Sequence, residues 1–572
     1  MQSRRDFLLT GMGAVTAGLG AGALARPARA RLIAPCDPGS LPLAGTRPLL
    51  SAPLTQDPVV IDGFRFAPWF TGDDFPDQHI PFHSDESPTF PKVRSHAVDR
   101  TRVAVIGGGI SGLSTAFMLR RFNPVVFELR DQFGGAAQGG AWQDAPYTLG
   151  SAYVITPDNG GFLDTFYRDL RLHENVRVDN DPLTVELNGD ILTNYINGEG
   201  FEPGDMPALN AYRQLVNRMA NQTYPDVPFT APWMLALDEL TFKQHIEQEM
   251  GLPVPALLVA GIQAYCYSSF GAGWEEISAA SGWNFLAAEE FGRWVFPGGN
   301  AYMADRLWEE LGALDANTPQ GCHPNHLRAG CKVVDVRMDR SGDVRITYQD
   351  RDGRYRVMLA EHVVMANSKH IVKHMLHDLE ALDEAKFNAM LMEYRAYAMV
   401  NVLLNTEIPT DFYDIFLLRD GAFPTNTGEA EQYFHATDAL DGSYTPSHLP
   451  SEPGKRNVLT FYWPLSYPQG RFDLVLNDPY ERFAGAIAAQ LREVLPTLGL
   501  NESAVQEIRL TRWGHALPLS EPGFIASGKP GELLRPFEGR VHFVNQDNWA
   551  LPAVENCVFD AVNVSELIAS QL

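Results

Sequence analysis

Between Arg102 and Glu128 the hydrophobic pattern changes twice within a short stretch. Val103-Ala104-Val105-Ile106 is an unbroken apolar run, the pattern of a strand buried on both faces. After a glycine-rich turn, Leu113 to Arg121 carries a helical period, and Pro124-Val125-Val126-Phe127-Glu128 is a second short strand. Strand, turn, helix and strand within about 30 residues predict a βαβ unit. Further on, Ala301 to Leu314 predicts a helix, and Lys332 to Met338 with Val344 to Gln349 predicts a hairpin around Asp339-Arg340-Ser341-Gly342. His362 to Met365 and Arg540 to Val544 predict two more strands, and Ala553 to Ser570 a final helix. Tyr397 to Leu404 and Val458 to Trp463 are aromatic and β-branched, as strands of a second sheet would be. The apolar stretch Pro253 to Cys266 predicts a buried helix.

Residues 31–98 break this rhythm. They are proline-rich and aperiodic, and their scattered aromatics (Phe64, Phe66, Trp69, Phe70) predict an extension packed over the body. Ahead of them, Ser3-Arg4-Arg5-Asp6-Phe7-Leu8 leads into a Gly/Ala-rich apolar stretch and then Ala28-Arg29-Ala30. Paired arginines, a weakly apolar run and a small-x-small cleavage pattern predict a twin-arginine signal over residues 1–30. The run is too glycine-rich and too short to span a bilayer comfortably. The expected address is therefore periplasmic or secreted, reached after folding, with no membrane span in the mature protein. Five widely spaced cysteines, odd in number, are not expected to form a disulfide framework, with a Cys322–Cys331 pairing left open. The formal charge of −25 argues against nucleic acid as a partner and leaves room for a small, cationic substrate.

The turn after the first strand carries the chemistry. Gly107-Gly108-Gly109-Ile110-Ser111-Gly112 fits G-x-G-x-x-G between a strand and a helix. Gly107 permits the tight turn, Gly109 lets backbone approach a pyrophosphate, and Gly112 brings helix and strand together. Ile110 and Ser111 open the helix, whose free N–H groups and dipole favour an anion. Glu128, at the end of the next strand, is placed to accept from the adenosine ribose hydroxyls, which favours FAD or NAD over NADP.

Glu128-Leu129-Arg130-Asp131-Gln132-Phe133-Gly134-Gly135 resembles the second signature of the flavin-dependent amine oxidase superfamily. Leu149-Gly150-Ser151-Ala152 continues the resemblance, in a segment that passes beside the flavin ring in that family. Pro297-Gly298-Gly299-Asn300 looks like its central segment, and Val333 like the strand residue whose backbone meets the adenine. Asn545-Gln546-Asp547 followed by Ala553-Val554-Glu555 is similar to its C-terminal motif. That likeness implies Asp547 near the ribityl and pyrophosphate, and the last helix pointing its N-terminus at the flavin. Phe296-Pro297-Gly298-Gly299-Asn300, Arg512-Trp513-Gly514-His515, Asn545-Gln546-Asp547 and the signal look closest to an exported, spermidine-dehydrogenase-like branch.

The resemblance implies an α/β fold: a Rossmann-like FAD domain, discontinuous in sequence, with an inserted substrate domain on a mixed sheet. Its expected segments are 99–185, 291–375 and 506–572 for FAD, and 186–290 and 376–505 for substrate. Three positions depart from the family pattern. Ala136 stands where an arginine contacts phosphate, Asn545 replaces a glycine, and Ala553 falls where many members keep a cage tyrosine. No cysteine matches a covalent flavin attachment, so non-covalent FAD is expected.

An amine must be neutral to be oxidised, so its pocket should desolvate it between aromatic walls. Trp513 and Trp549 flank the C-terminal motif as candidates for those walls, and His515 as a polar or proton-relaying group. Lys373 lies near where relatives keep a lysine that holds a water at the flavin. His370, His374 and His377 share one helical face, but no cysteine or acidic cluster accompanies them and no metal is expected. The expected reaction is dehydrogenation of a C–N bond in an amine or polyamine. Electrons would pass to oxygen or a periplasmic carrier. The alternatives are a C–C desaturase or isomerase of the phytoene-desaturase type, and a flavin-binding accessory protein without turnover.

Overall fold

The structure is a computed structural model that describes residues 47–49, 57–74, 98–143, 145–222, 227–289, 291–316, 326–442, 457–475 and 479–572. The signal, Cys36 and Cys322 lie outside these residues. In chain order, β1 (Phe64–Phe66) comes from the extension, and β2 (Val98–Ile106), α1 (Ile110–Met118) and β3 (Val125–Phe127) form the βαβ unit. Helices α2 (Ala256–Phe270), α3 (Ala279–Glu289) and α4 (Ala301–Ala316) follow. Next come β4 (Leu327–Arg328), β5 (Lys332–Met338), β6 (Val344–Gln349), β7 (Tyr355–Met365) and α5 (Lys369–Met375). Strands β8 (Tyr394–Leu404), β9 (Asp414–Arg419), β10 (Asp438–Asp441) and β11 (Asn457–Leu465) precede α6 (Tyr480–Thr497). The chain closes with β12 (Val505–Pro518), β13 (Val541–Phe543) and α7 (Val554–Gln571).

The first sheet runs β4-β3-β2-β7-β6-β5, with β13 beside the far end of β7. Strands β4, β3, β2, β7 and β13 are parallel, and the predicted β5–β6 hairpin continues antiparallel into β7. Val103 and Val105 pack under α1, α4 and α7, while Ala104 and Ile106 join the core on the other face. Burial on both sides is why this strand shows no polar alternation. Helix α1 starts three residues earlier than its periodicity predicts, at Ile110, because the glycine turn itself feeds the first helical turn.

The second sheet places β12, β8, β11, β10 and β9 side by side and ends on strands Thr184–Leu187 and Asp190–Leu192. One face, carrying Ala398, Val400 and Phe461, packs on Phe483, Ile487 and Leu491 of α6. The extension does more than drape. β1 pairs with β12, Phe66 is fully buried, and Phe70 sits edge-on to Tyr480 at 5.1 Å, while Trp69 stays exposed. Two expected boundaries move. β12 belongs to the second sheet, so the last flavin segment begins after Pro518 rather than at 506, and Thr184–Leu187 already lies in the second sheet. No helix among the described residues is long and apolar enough to cross a membrane. Cys266, Cys331 and Cys557 are buried free thiols.

A buried histidine pair joins β7 to β13. Arg540 donates to Nε2 of His362 at 3.1 Å, so Nδ1 of His362 carries the proton directed at Nε2 of His542, also at 3.1 Å. Burial first, then neighbouring positive charge, pushes both imidazoles down from 6.5 to about 4. The unfolded chain binds these protons at higher pH than the fold does, so stability is full above 6.5 and falls as pH drops toward 4. Urea unfolding across that window should show a shallower loss of stability for His542→Asn than for the parent; an unchanged slope would show the pair to be indifferent to acid.

Candidate active site

A cavity of about 520 Å³ opens at the carboxyl ends of β2 and β3, where ligands bind in open parallel sheets. Its floor is built by close backbone approach. A Cβ on Gly112 would lie 1.9 Å from the carbonyl oxygen of Gly107, so only glycine lets α1 sit this near the turn. Gly135, at φ +60°, faces Gly109 with 3.0 Å between its would-be Cβ and the Gly109 Cα. Gly134 N–H donates to Gly108 O at 2.8 Å, locking the two glycine turns together. Helix α1 has no side-chain cap, and Gly107, Gly109, Ile110 and Ser111 line the cavity at its N-terminus. Gly112 does not reach the cavity; its place is in the packing beneath.

Glu128 is 6% exposed and doubly anchored. Its carboxylate accepts from Gly108 N at 2.8 Å and from Arg130 N at 2.9 Å. Leu129, Gly134, Gly135 and Ala136 continue the lining. With alanine at 136, the cation beside the second glycine turn is Arg130, whose guanidinium lies 5.1 Å from the Trp513 ring. Gly150, Ser151 and Ala152 form the next stretch of wall. The Pro-Gly-Gly-Asn segment holds it: Asn300 Nδ2 donates to Ser151 Oγ and Tyr153 O, each at 2.7 Å. Val333 lines the end nearest β5.

The C-terminal motif closes the opposite side. Asn545 caps a short helical turn by accepting from Asp547 N, a role a glycine could not fill. Asp547 is buried and accepts from Lys369 N at 2.7 Å and Tyr394 OH at 2.8 Å. Ala553 and Val554 line the cavity at the N-terminus of α7, which also lacks a side-chain cap. Two uncapped helix ends, two interlocked glycine turns and an anchored acid at the end of the second strand are the donor set an elongated dinucleotide requires. These residues fit FAD.

Beyond Gly150 the cavity continues against the face of the second sheet that is turned away from α6. Cross-strand register sets a row here: Trp513 opposite Tyr397, Met399 opposite Tyr462, Tyr462 opposite Asp438, and Asp438 opposite Phe416. Directly paired residues share a face, so the row lines the chamber while Ala398 and Val400 point to the α6 core. Tyr397 and Tyr462 meet edge to face at 5.6 Å. Burial raises both phenols well above their usual range, so they are neutral. Tyr462 OH donates to Gly150 O at 2.9 Å, tying the substrate sheet to the flavin side.

Two of the four expected catalytic side chains fall in this chamber. Trp513 lines it, with its indole N–H on Leu149 O at 2.8 Å. His515 lines it too, stacked on His370 at 3.8 Å and accepting at Nε2 from Arg471 at 2.9 Å. Trp549 does not: it is a core residue whose N–H is bound by Asp560 at 3.1 Å. Lys373 is half-buried outside the lining, and burial and Arg471 lower its ammonium pKa. The fully buried lysine of α5 is Lys369, and it also lies behind the wall. The three histidines of that face separate, His370 into the cavity and His377 against Asp335 at 3.3 Å, and no metal-binding cluster occurs among the described residues. Tyr397, Tyr462, Asp414, Asp438 and Arg293 were not legible as site residues. Alternation on β8 and β11 marks Tyr397 and Tyr462 as facing one side, but nothing in the sequence says which side is hollow.

The fold and cavity define a dinucleotide-binding flavoprotein with a substrate sheet closing over its cofactor. Residues 110–538 match the family described as flavin containing amine oxidoreductase, and the chain belongs to that family. The family is one of flavin-containing oxidoreductases, and the cavity lining of this chain fits FAD. A flavin-containing amine oxidase of Oncorhynchus mykiss is 33% identical over 160 residues, 26% of this chain and 28% of that protein. Amine oxidase A of Bos taurus is 30% identical over 161 residues, again 28% of its length. Among solved structures, cyclohexylamine oxidase from Brevibacterium oxydans superposes with TM-score 0.58 at 16% identity, covering 82% of this chain and 99% of that one. A putrescine oxidase bound to putrescine gives TM-score 0.58 at 15% identity, with the same coverage.

Removing the Glu128 carboxylate should weaken FAD retention. Glu128→Ala loses charge-assisted bonds worth about 2–3 kcal/mol, an affinity loss of roughly 30- to 150-fold. Unchanged FAD content after dialysis would show that the acid does not serve the ribose.

Proposed function

We propose that this protein dehydrogenates a C–N bond of an amine, polyamines included, with hydride transfer to flavin N5. The observation that carries this reading is the row Trp513, Tyr397, Met399 and Tyr462, which lines the same cavity as the glycine turns and Glu128. Bound there, FAD supplies the acceptor for the hydride equivalent lost from the carbon beside nitrogen. Gly107, Gly109, Ile110, Ser111, Glu128, Gly135, Asp547, Ala553 and Val554 would hold it. The chain's own work is to strip water from the amine and fix its carbon. Enclosure among these side chains strips water from the amine, and desolvation disfavours the charged form, so the neutral, reactive amine is favoured. Ala553 brings no ring to the cavity, and Tyr397, Tyr462 and Trp513 supply the aromatic walls.

The desaturase reading fits less well, because a chamber for a long apolar substrate would not bury Asp414, Asp438 and Arg293 in its wall. An accessory protein without turnover is disfavoured by a chamber that stays open beyond Gly150. The twin-arginine pattern of residues 1–30 and the Arg512-Trp513-Gly514-His515 stretch support an exported member of the spermidine-dehydrogenase-like branch. Such a protein would work in the periplasm or outside the cell and pass electrons to oxygen or a periplasmic carrier.

An anaerobic titration of the FAD-loaded protein with a panel of amines should bleach its visible flavin bands for at least one amine class. Tyr462→Ala should lower the rate of that bleaching about 10- to 100-fold, on the scale of a lost buried contact and hydrogen bond. Reduction by dithionite but by no amine would refute the proposal.

A further inference from the structure

The N-terminal extension reaches the cofactor cavity as well as the second sheet, and it does so at two places. The first is Arg47 to Leu49. Pro48 O accepts from Gly139 N at 3.0 Å and from Gln132 Nε2 at 2.8 Å. Leu49 bridges to Gly139, and a Cβ on Gly139 or Gly298 would lie 2.7 or 2.6 Å from its Cδ1. Arg47 reaches on to α4, donating to Asp305 at 2.7 Å and to Glu309 at 2.9 Å. These three residues tie the loop after the second glycine turn to the Pro-Gly-Gly-Asn segment and to α4.

The second place is Thr71 to Asp73. Thr71 and Gly72 pair in parallel with Thr511 and Arg512 of β12. Gly72, at φ +89°, permits this approach, because a Cβ there would lie 2.3 Å from Arg512 O. Asp73 N donates to Arg512 O at 2.9 Å, and Arg512 Nε donates back to Asp73 O at 3.1 Å. The Asp73 carboxylate accepts from Gly514 N at 2.8 Å and lines the cavity, as Trp513 does. Gly72 O accepts from Arg130 Nη1 at 3.3 Å, on a guanidinium that lies 5.1 Å from the Trp513 ring. The extension thus holds the cation of the cofactor wall from outside.

We propose that residues 47–49 and 71–73 belong to the cofactor site, as a clasp over the second glycine turn that retains FAD. Gly72 positions Arg130, and Asp73 positions the backbone at Trp513 and Gly514. Gly134 and Gly135 have no side chains to pack, so backbone bonds and the segments laid across the turn fix its place. One grip lies after that turn, on Gly139, and the other before it, on Arg130. FAD seated beneath leaves only when this loop opens, and opening it breaks the bonds to the extension. The inference rests on the cavity's fit to FAD and is independent of which substrate is oxidised.

The test locks the second grip. Thr71 Oγ1 and Thr511 Oγ1 lie 2.8 Å apart, close enough for a disulfide between cysteines placed there. In the FAD-loaded full-length protein carrying Thr71→Cys and Thr511→Cys, loss of FAD on timed dialysis should be about 10-fold or more slower with the cross-link formed than after its reduction. Asp73→Ala should lose FAD about 10-fold or more faster than the parent, the scale of one charge-assisted hydrogen bond. A tie that serves only the fold would change urea unfolding of the FAD-free protein and leave FAD loss at the parent rate in both variants, which overturns the proposal. If the cross-link does not form, Asp73→Ala decides, and unchanged FAD loss overturns it; if Asp73→Ala does not fold, equal FAD loss from the cross-linked and reduced forms does so. A parent protein that takes up no FAD refutes the cofactor assignment and this inference together. No substrate is added at any step, so failure of the amine reading does not enter the result.

Discussion

The architecture depends on how closely α1 approaches the turn that precedes it. At Gly112 the Gly107 carbonyl leaves no room for a side chain. Helix, turn and strand are therefore fixed with the first-turn amides facing the cavity. Glu128 extends that constraint by accepting from Gly108 N–H, so the end of β3 and the turn after β2 move as one body. Gly134 N–H on Gly108 O adds the second glycine turn to the same unit. The electrostatic character of the cofactor end follows: helix dipoles and backbone donors, with the anchored Glu128 carboxylate beside them.

The substrate side is organised by a different rule, the two-residue period of a strand. Tyr397 and Met399 on β8, and Tyr462 on β11, face the cavity, while their neighbours pack on α6. The bond from Tyr462 OH to Gly150 O links this face to a segment that Asn300 clamps from the flavin side. The walls of the chamber and the bed of the cofactor are in this way held at one separation. Helix α2 adds a third support: Tyr397 OH donates to Ser268 O at 3.1 Å, and Ser268 Oγ donates to Asp438.

The cofactor half was legible in the sequence because its chemistry is local. A glycine turn, an acid at the next strand's end and a second glycine pair are contiguous and constrained by backbone geometry. The hairpin around Asp339 was equally local, and its strand limits are those that pattern predicts. The substrate half was not legible, because Trp513, Tyr397, Tyr462 and Asp438 come from four strands whose register no short motif encodes. Asp438 sits in a four-residue strand, Asp-Ala-Leu-Asp, that resembles a loop. Trp549 misled for the complementary reason: proximity in sequence to Asp547 did not place its ring in the cavity, because Asp560 draws the indole inward. Lys373 misled because α5 turns Lys369, not Lys373, toward the core. The boundary at 506 failed because β12 is long and continuous with the second sheet before the chain returns to the first.

The central claim is that an amine gives up hydrogen from the carbon beside its nitrogen inside this cavity. It is tested most directly by anaerobic rapid mixing of the FAD-loaded protein with an amine that reduces it, protiated or deuterated at that carbon. The account predicts that flavin bleaching is several-fold slower with the deuterated amine and leaves an imine or its carbonyl hydrolysis product in step with the reduced flavin. Bleaching that leaves the C–N bond of the amine intact would contradict it.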